Sequence, residues 1–255
     1  MNAPPQRRRL LRHHVNVIAA PCLGLLAQTA LAGDAARPAD LVPLREADAS
    51  IVQDMRYAGA NNFVGRPLPG YAEAECLLIG PAAEALGRVQ RDLAPQKLSL
   101  KVLDCYRPPQ AVAAMAQWAR DGRPAGAGQR FFPRLDKSAL FALGYIAARS
   151  SHSLGTAVDL TLVEAGRAAA PPDAAPALPD AAAEVPCTAP YAERGPADGI
   201  DMGSAFDCFD PRSHTANQQI SAEAKQHRQL LVAAMRRHGF VNYAREWWHF
   251  SWQRP

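Results

Sequence analysis

Apolar positions along this chain fall into short blocks of changing period. Between residues 81 and 92, Ala82, Ala85, Leu86 and Val89 recur every three or four residues, and Leu93 follows on the same face. That spacing predicts a helix, with Pro81 suited to its first turn. A second helix is expected over 108–120, again opened by prolines, and a third over 223–238, carrying Leu230, Leu231, Ala234 and Met235 and stopped by Gly239. Elsewhere the period is two. Ile51, Gln53, Met55 and Tyr57 alternate and predict a strand near 50–57; residues 98–105 and 157–163 predict two more, and 246–252 a last one. Residues 61–65 and 67–70 read as turns, and 144–150 as a turn or short helix. Helices and strands mix without regular strand–helix–strand alternation. The expected class is therefore α+β: a single domain with a mostly antiparallel central sheet flanked by helices.

Two segments depart from this pattern. Residues 165–190 are dominated by Ala and Pro with few large apolar side chains, so a long insertion is expected at about 164–200. The N-terminus reads as an export signal. Arg7, Arg8, Arg9 and Arg12 precede an apolar stretch from Val15 to about Ala27, and Ala30-Leu31-Ala32 is a small-x-small cleavage site. The apolar stretch is too short to span a bilayer, and Pro21 stands where a lipid-modified Cys22 would need a small residue. Residues 1–32 are thus expected to be removed, leaving a mobile leader over 33–44, a folded domain over 45–255, no stable membrane anchor, and a periplasmic or secreted protein.

The signal also explains the charge. The formal net charge is +4, but four of the 28 Lys and Arg residues lie in it, and the remainder equal the 24 Asp and Glu residues. No basic stripe remains, which excludes a nucleic-acid partner. Of five cysteines, Cys76, Cys105, Cys187 and Cys208 follow the signal. An even number in an exported chain favours disulfides. Three pairings are possible; Cys76–Cys105 and Cys187–Cys208 are expected, since each keeps its partners within one half of the chain. No CxxC spacing occurs, which argues against a zinc site built from cysteine.

Three clusters carry candidate chemistry. In Ser150-Ser151-His152-Ser153-Leu154-Gly155-Thr156-Ala157-Val158-Asp159, an imidazole in a Ser/Gly turn and a carboxylate on the next strand can converge on one ion, with Gly155 permitting the tight turn. In Glu246-Trp247-Trp248-His249-Phe250, an acid and a second imidazole stand among aromatics. Residues three apart on a regular strand face opposite sides, so Glu246 and His249 can share a site only if the strand is twisted or bulged, or begins after Glu246. In Asp104-Cys105-Tyr106-Arg107-Pro108-Pro109, a guanidinium stands at the end of a strand. Two His and one Asp leave a fourth zinc position for water. A neighbouring Glu can take that water's proton, and an Arg can stabilise an oxyanion. The set suffices for metal-assisted amide hydrolysis, with one zinc per chain at the sheet.

With these motifs in place, the chain resembles the D-alanyl-D-alanine dipeptidases, zinc D,D-peptidases of the VanX type. The resemblance runs from about residue 45 to 252 apart from 164–200. It also takes in Arg56-Tyr57-Ala58, Asn61-Asn62-Phe63-Val64-Gly65, Met202-Gly203-Ser204-Ala205-Phe206-Asp207 and Arg212-Ser213-His214. It implies His152, Asp159 and His249 as zinc ligands, Glu246 as general base and then acid, and Arg107 at the oxyanion. It further implies Tyr57 and Asp207 at the substrate's ammonium end and Ser150 at its carboxylate; His214 is read as structural. The implied substrate is a small D,D-dipeptide. The export signal is not part of the cytoplasmic members' pattern and points to turnover of cell-wall peptides. Two other readings stay open at this point: a D,D- or L,D-carboxypeptidase or endopeptidase acting on peptidoglycan stem peptides, and a zinc-stabilised binding module without activity.

Overall fold

The computed structural model describes residues 40–166 and 185–253, together with Met1. The expected export signal, the leader up to residue 39 and residues 167–184 of the expected insertion lie outside the described residues. None of the helices among the described residues is long and apolar enough to cross a membrane.

The three expected helices form as α2 (Gly80–Leu93), α3 (Pro109–Arg120) and α5 (Ala222–Arg236), each within two residues of its expected bounds. Prolines open the first two, and the Ser221 hydroxyl caps α5 by accepting the Ala224 N–H. Short helices α1 (Leu44–Ala47) and α4 (Tyr191–Arg194) add single turns. A five-stranded sheet runs in the order β2 (Val52–Gln53), β4 (Leu98–Asp104), β5 (Ala157–Glu164), β7 (His249–Trp252), β6 (Phe240–Asn242). All its pairings are antiparallel except β2 with β4. Strands β1 (Leu41–Pro43) and β3 (Leu77–Ile79) form a separate antiparallel pair. The class is α+β, as the mixed periodicities imply.

Two expected strands are corrected. The strand near 50–57 shrinks to the two residues of β2, because the chain turns away in a 3-10 turn, Arg56–Ala58, that buries Arg56 and Tyr57. Pairing of the Arg56 guanidinium with Asp54 and Asp198 holds that turn. The strand at 246–252 starts only at His249, because Glu246 closes a turn by donating its N–H to the Tyr243 carbonyl and accepting from His249 N–H. Strands β1, β3 and β6 went unexpected. Each has three residues, too few to display a period.

Two apolar clusters position the site. In the first, α2 and α5 pack over the sheet through Leu86, Val89, Leu231 and Met235 against Val102, Leu160 and Phe250. The second gathers Tyr57, Phe63 and Phe209 around Met115 and Trp118 of α3. Both expected disulfides form, Cys76–Cys105 with Cα atoms 5.2 Å apart and Cys187–Cys208 with Cα atoms 5.4 Å apart. Residues 185–200, expected as part of a loop, are fastened to the sheet: Ile200 N–H donates to the Leu162 carbonyl. Gly199, at φ +107°, lies so close that a Cβ would fall 2.3 Å from that same carbonyl oxygen.

Candidate active site

Register aligns the sheet's chemical groups. A bulge between Val102 and Asp104 sets Asp104 opposite Asp159, and Asp159 is paired directly with His249. Directly opposed residues share a face, so one row crosses β4, β5 and β7. His152 joins it from a 3-10 turn, Ser151–Leu154, which the Ser150 hydroxyl caps by accepting the His152 N–H. That turn ends on Gly155 at φ +69°, where a Cβ would meet Leu41 at 2.3 Å.

The Cys105 carbonyl, 2.8 Å from His152 Nδ1, can only accept, so Nδ1 carries the proton and Nε2 turns a lone pair inward. Nε2 lies 3.1 Å from His249 Nδ1 and 3.3 Å from Asp159 Oδ1, and the last two atoms are 2.9 Å apart. Tetrahedral zinc with bonds of about 2.0–2.1 Å separates its ligand atoms by about 3.3 Å. The triangle matches that spacing to a few tenths of an ångström, and its donor set suits the ion. His152, Asp159 and His249 therefore fit a metal ion. Burial pushes the Asp159 carboxyl upward, but the two imidazoles outweigh it and hold it well below the usual carboxylate range.

Starting the strand after Glu246 resolves the spacing difficulty. Trp247 and Trp248 are buried and anchored, Trp247 Nε1–H on the Ser204 hydroxyl and the Trp248 carbonyl on Leu160 N–H. The turn brings Glu246 Oε2 to 3.9 Å from His249 Nδ1. Burial pushes the Glu246 carboxyl up to about 7, with His249 opposing and Asp159 and Asp207 adding to the rise. Arg107 is pinned by Asp104, its Nε and Nη2 donating to one carboxylate oxygen at 2.9 and 2.8 Å. Its guanidinium carbon lies 4.9 Å from the centre of the Tyr57 ring. The Tyr57 hydroxyl donates to Asp207 Oδ2 at 2.7 Å. Burial is the main reason that the Asp207 carboxyl is pushed up to about 8, against the pull of that hydroxyl.

Tyr57, Arg107, His152, Asp159, Asp207 and Glu246 line one cavity of about 280 Å³, with His249 and Ser150 also on its wall. All eight candidate residues thus meet in one place, and Ser150, whose oxygen accepts the His152 N–H, keeps its own O–H to donate. His214 stands apart from the lining residues, and its carbonyl accepts from Arg228. A larger groove of about 730 Å³ runs along α5 and shares none of these residues. Sequence reasoning quoted Asp104 beside Arg107 without giving it a role, and missed Tyr71. Asp104 is fully buried, holds Arg107, accepts the Tyr71 hydroxyl at 2.7 Å and lies 3.5 Å from His152 Nδ1. The available signal was an acid three residues before Arg107 at a strand end; Tyr71, inside a turn-rich stretch, had none.

A carboxylate of raised pKa beside a metal-capable triangle and a fixed guanidinium can hydrolyse an amide, which is the work of a peptidase. The chain belongs to the peptidase M15 family described as D-ala-D-ala dipeptidase, which it matches over residues 37–170 and 187–254. It is 33% identical over 197 residues to a D-alanyl-D-alanine dipeptidase of Enterococcus faecium, covering 77% of this chain and 83% of that protein. Likewise named relatives from Streptomyces coelicolor and Escherichia coli are each 30% identical, over 78% of this chain and 84% and 77% of their own lengths.

Proposed function

We propose that the protein is a zinc-dependent D-alanyl-D-alanine dipeptidase, with the ion held by His152, Asp159 and His249. The carrying observation is a half-buried Glu246 beside that triangle, in a cavity of about 280 Å³ that the hydrogen-bonded Tyr57–Asp207 pair also lines. This volume lies near the small end of ligand pockets and favours a dipeptide over a peptidoglycan stem. Raised carboxylate pKa values and a fixed guanidinium speak against a purely structural metal site, which needs neither.

Zinc bound there would serve as a Lewis acid toward a water and the scissile carbonyl. Glu246 takes the proton of the attacking water and returns it to the leaving amine, and a pKa of about 7 suits both transfers. Arg107, held by Asp104, faces the negative charge that grows on the carbonyl oxygen. Asp207 and Tyr57 receive the substrate's ammonium, whose arrival favours ionised Asp207. Ser150, at the start of the His152 turn, offers its hydroxyl to the substrate's carboxylate. Two disulfides suit an oxidising compartment, which supports a periplasmic or secreted enzyme that turns over cell-wall peptides.

The test is an assay of the purified protein on D-Ala-D-Ala, L-Ala-L-Ala and a stem pentapeptide, with and without chelator. Free D-Ala is expected from the first substrate only, and only without chelator. Equal release from the pentapeptide would move the assignment to a carboxypeptidase. Glu246→Gln should retain metal and lose about 10²–10⁴ in kcat; an active variant would remove Glu246 from its role.

A further inference from the structure

Tyr57 and Asp207 come from distant parts of the chain, 150 residues apart, and neither holds the other in place by itself. Both are directly preceded by a residue bound to the same carboxylate. Arg56 Nη2 lies 2.7 Å from Asp198 Oδ1. Phe206 N–H donates to Asp198 Oδ2 at 3.2 Å. We infer that Asp198 is a positioning residue for the substrate's amino end, clamping through Arg56 and Phe206 the two segments that present Tyr57 and Asp207. This rests on the dipeptidase reading and on the ammonium contact assigned there to those two residues.

The surroundings make Asp198 a clamp rather than a chance ion pair. Its own segment is immobilised on the sheet, since Gly199 is pressed against the Leu162 carbonyl and Ile200 N–H donates to that oxygen at 2.9 Å. Arg56 is only 4% exposed and Asp198 half-buried, so removing the carboxylate costs more than breaking a surface bridge. Asp207 stands at φ +57°, in the left-handed region that a non-glycine residue keeps only when its neighbours hold it. Phe206, fixed by Asp198, is one such neighbour. Neither Asp198 nor Arg56 lines the cavity, so Asp198 acts on substrate through the residues that it holds. Arg56 Nε also lies 3.0 Å from Asp54, which pairs in turn with Lys101, so losing Asp198 does not leave a buried guanidinium alone. The fold is expected to survive the change.

The experiment compares D-Ala-D-Ala with N-acetyl-D-Ala-D-Ala, which lacks the ammonium, in wild type, Asp198→Ala and Asp198→Asn. Wild type should cleave the first and reject the second; absence of both activities, or equal cleavage of both, overturns the assignment of the amino end and this inference with it. Given a discriminating wild type, Asp198→Ala should raise KM for D-Ala-D-Ala by about tenfold, which corresponds to about 1.4 kcal/mol of lost binding. Its kcat should stay within a few-fold, its zinc affinity by chelator competition should be unchanged, and its preference for the free amine should collapse. Asp198→Asn keeps an acceptor for Phe206 N–H and the same volume, and should lie between the two; it carries the test alone if the alanine variant does not fold. A wild-type preference in the folded variants, or a fall in kcat with KM unchanged, overturns the role.

Discussion

Asp207 combines burial, a left-handed backbone and a carboxyl pushed up to about 8, mainly because water is withdrawn from its charged form. Its folded pKa thus lies above the ordinary value of 3.8, so the folded protein binds this proton more tightly than the unfolded chain does. A group of that sign contributes stability that is complete below about pH 4 and lost progressively as pH rises to about 8. Asparagine cannot ionise, and it tolerates the left-handed region better than most residues. In metal-free protein, Asp207→Asn should therefore melt higher than wild type. The difference should grow between about pH 4 and 8 and level off above. Thermal melts across pH 5–9 check this, and two parallel curves would refute it. The same variant should bind D-Ala-D-Ala more weakly, because the ammonium loses its charged partner.

The two disulfides secure different segments behind the cavity. Cys76–Cys105 ties the start of β3 to the residue just past β4, and the Cys105 carbonyl sets the tautomer and ring plane of His152. Cys187–Cys208 ties the segment beyond residue 184 to the residue after Asp207. Replacing Cys76 and Cys105 together by serine keeps that backbone carbonyl but frees the segment that carries it, and should weaken zinc binding by about tenfold, the lower end of what disturbing a group that orients a metal ligand costs, as read by chelator competition. Replacing Cys187 and Cys208 should leave zinc affinity unchanged and raise KM; identical effects of the two double variants would contradict this division. What was legible follows from period and from chemistry. Helices of 12 to 15 residues repeat their apolar face several times and were found nearly to the residue. Three-residue strands repeat nothing. The early end of the strand after β2 depends on Arg56 meeting Asp198, 142 residues away, which no local pattern encodes. Asp159 and His249 could be named from residue type and motif, but their direct opposition comes from β5–β7 register. The role of Asp104 stayed hidden because its work is done on other side chains and a strand acid has no periodic signature.

Across the whole molecule, the buried Asp104, Asp159 and Asp207 and the half-buried Glu246 gather near Arg107. Burial pushes the Asp207 and Glu246 carboxyls up, and the negative charges nearby add to both rises. A divalent ion at the triangle and a substrate ammonium at Asp207 would relieve that repulsion. The metal triangle also joins β5, β7 and the turn before β5, elements that share the molecule's central sheet. Stabilisation by the ion should therefore reach the global unfolding transition instead of a local one. At zinc a hundredfold above Kd it amounts to about 2.7 kcal/mol, or roughly 5–10 °C in Tm for a chain of this size. Calorimetry of chelated and zinc-loaded protein should show one transition moving by that amount. His249→Ala should abolish the shift, whereas Glu246→Gln should keep it, because Glu246 lies beside the triangle and supplies none of its three donors. An unchanged Tm in wild type would mean that the three residues do not bind the ion in the folded state.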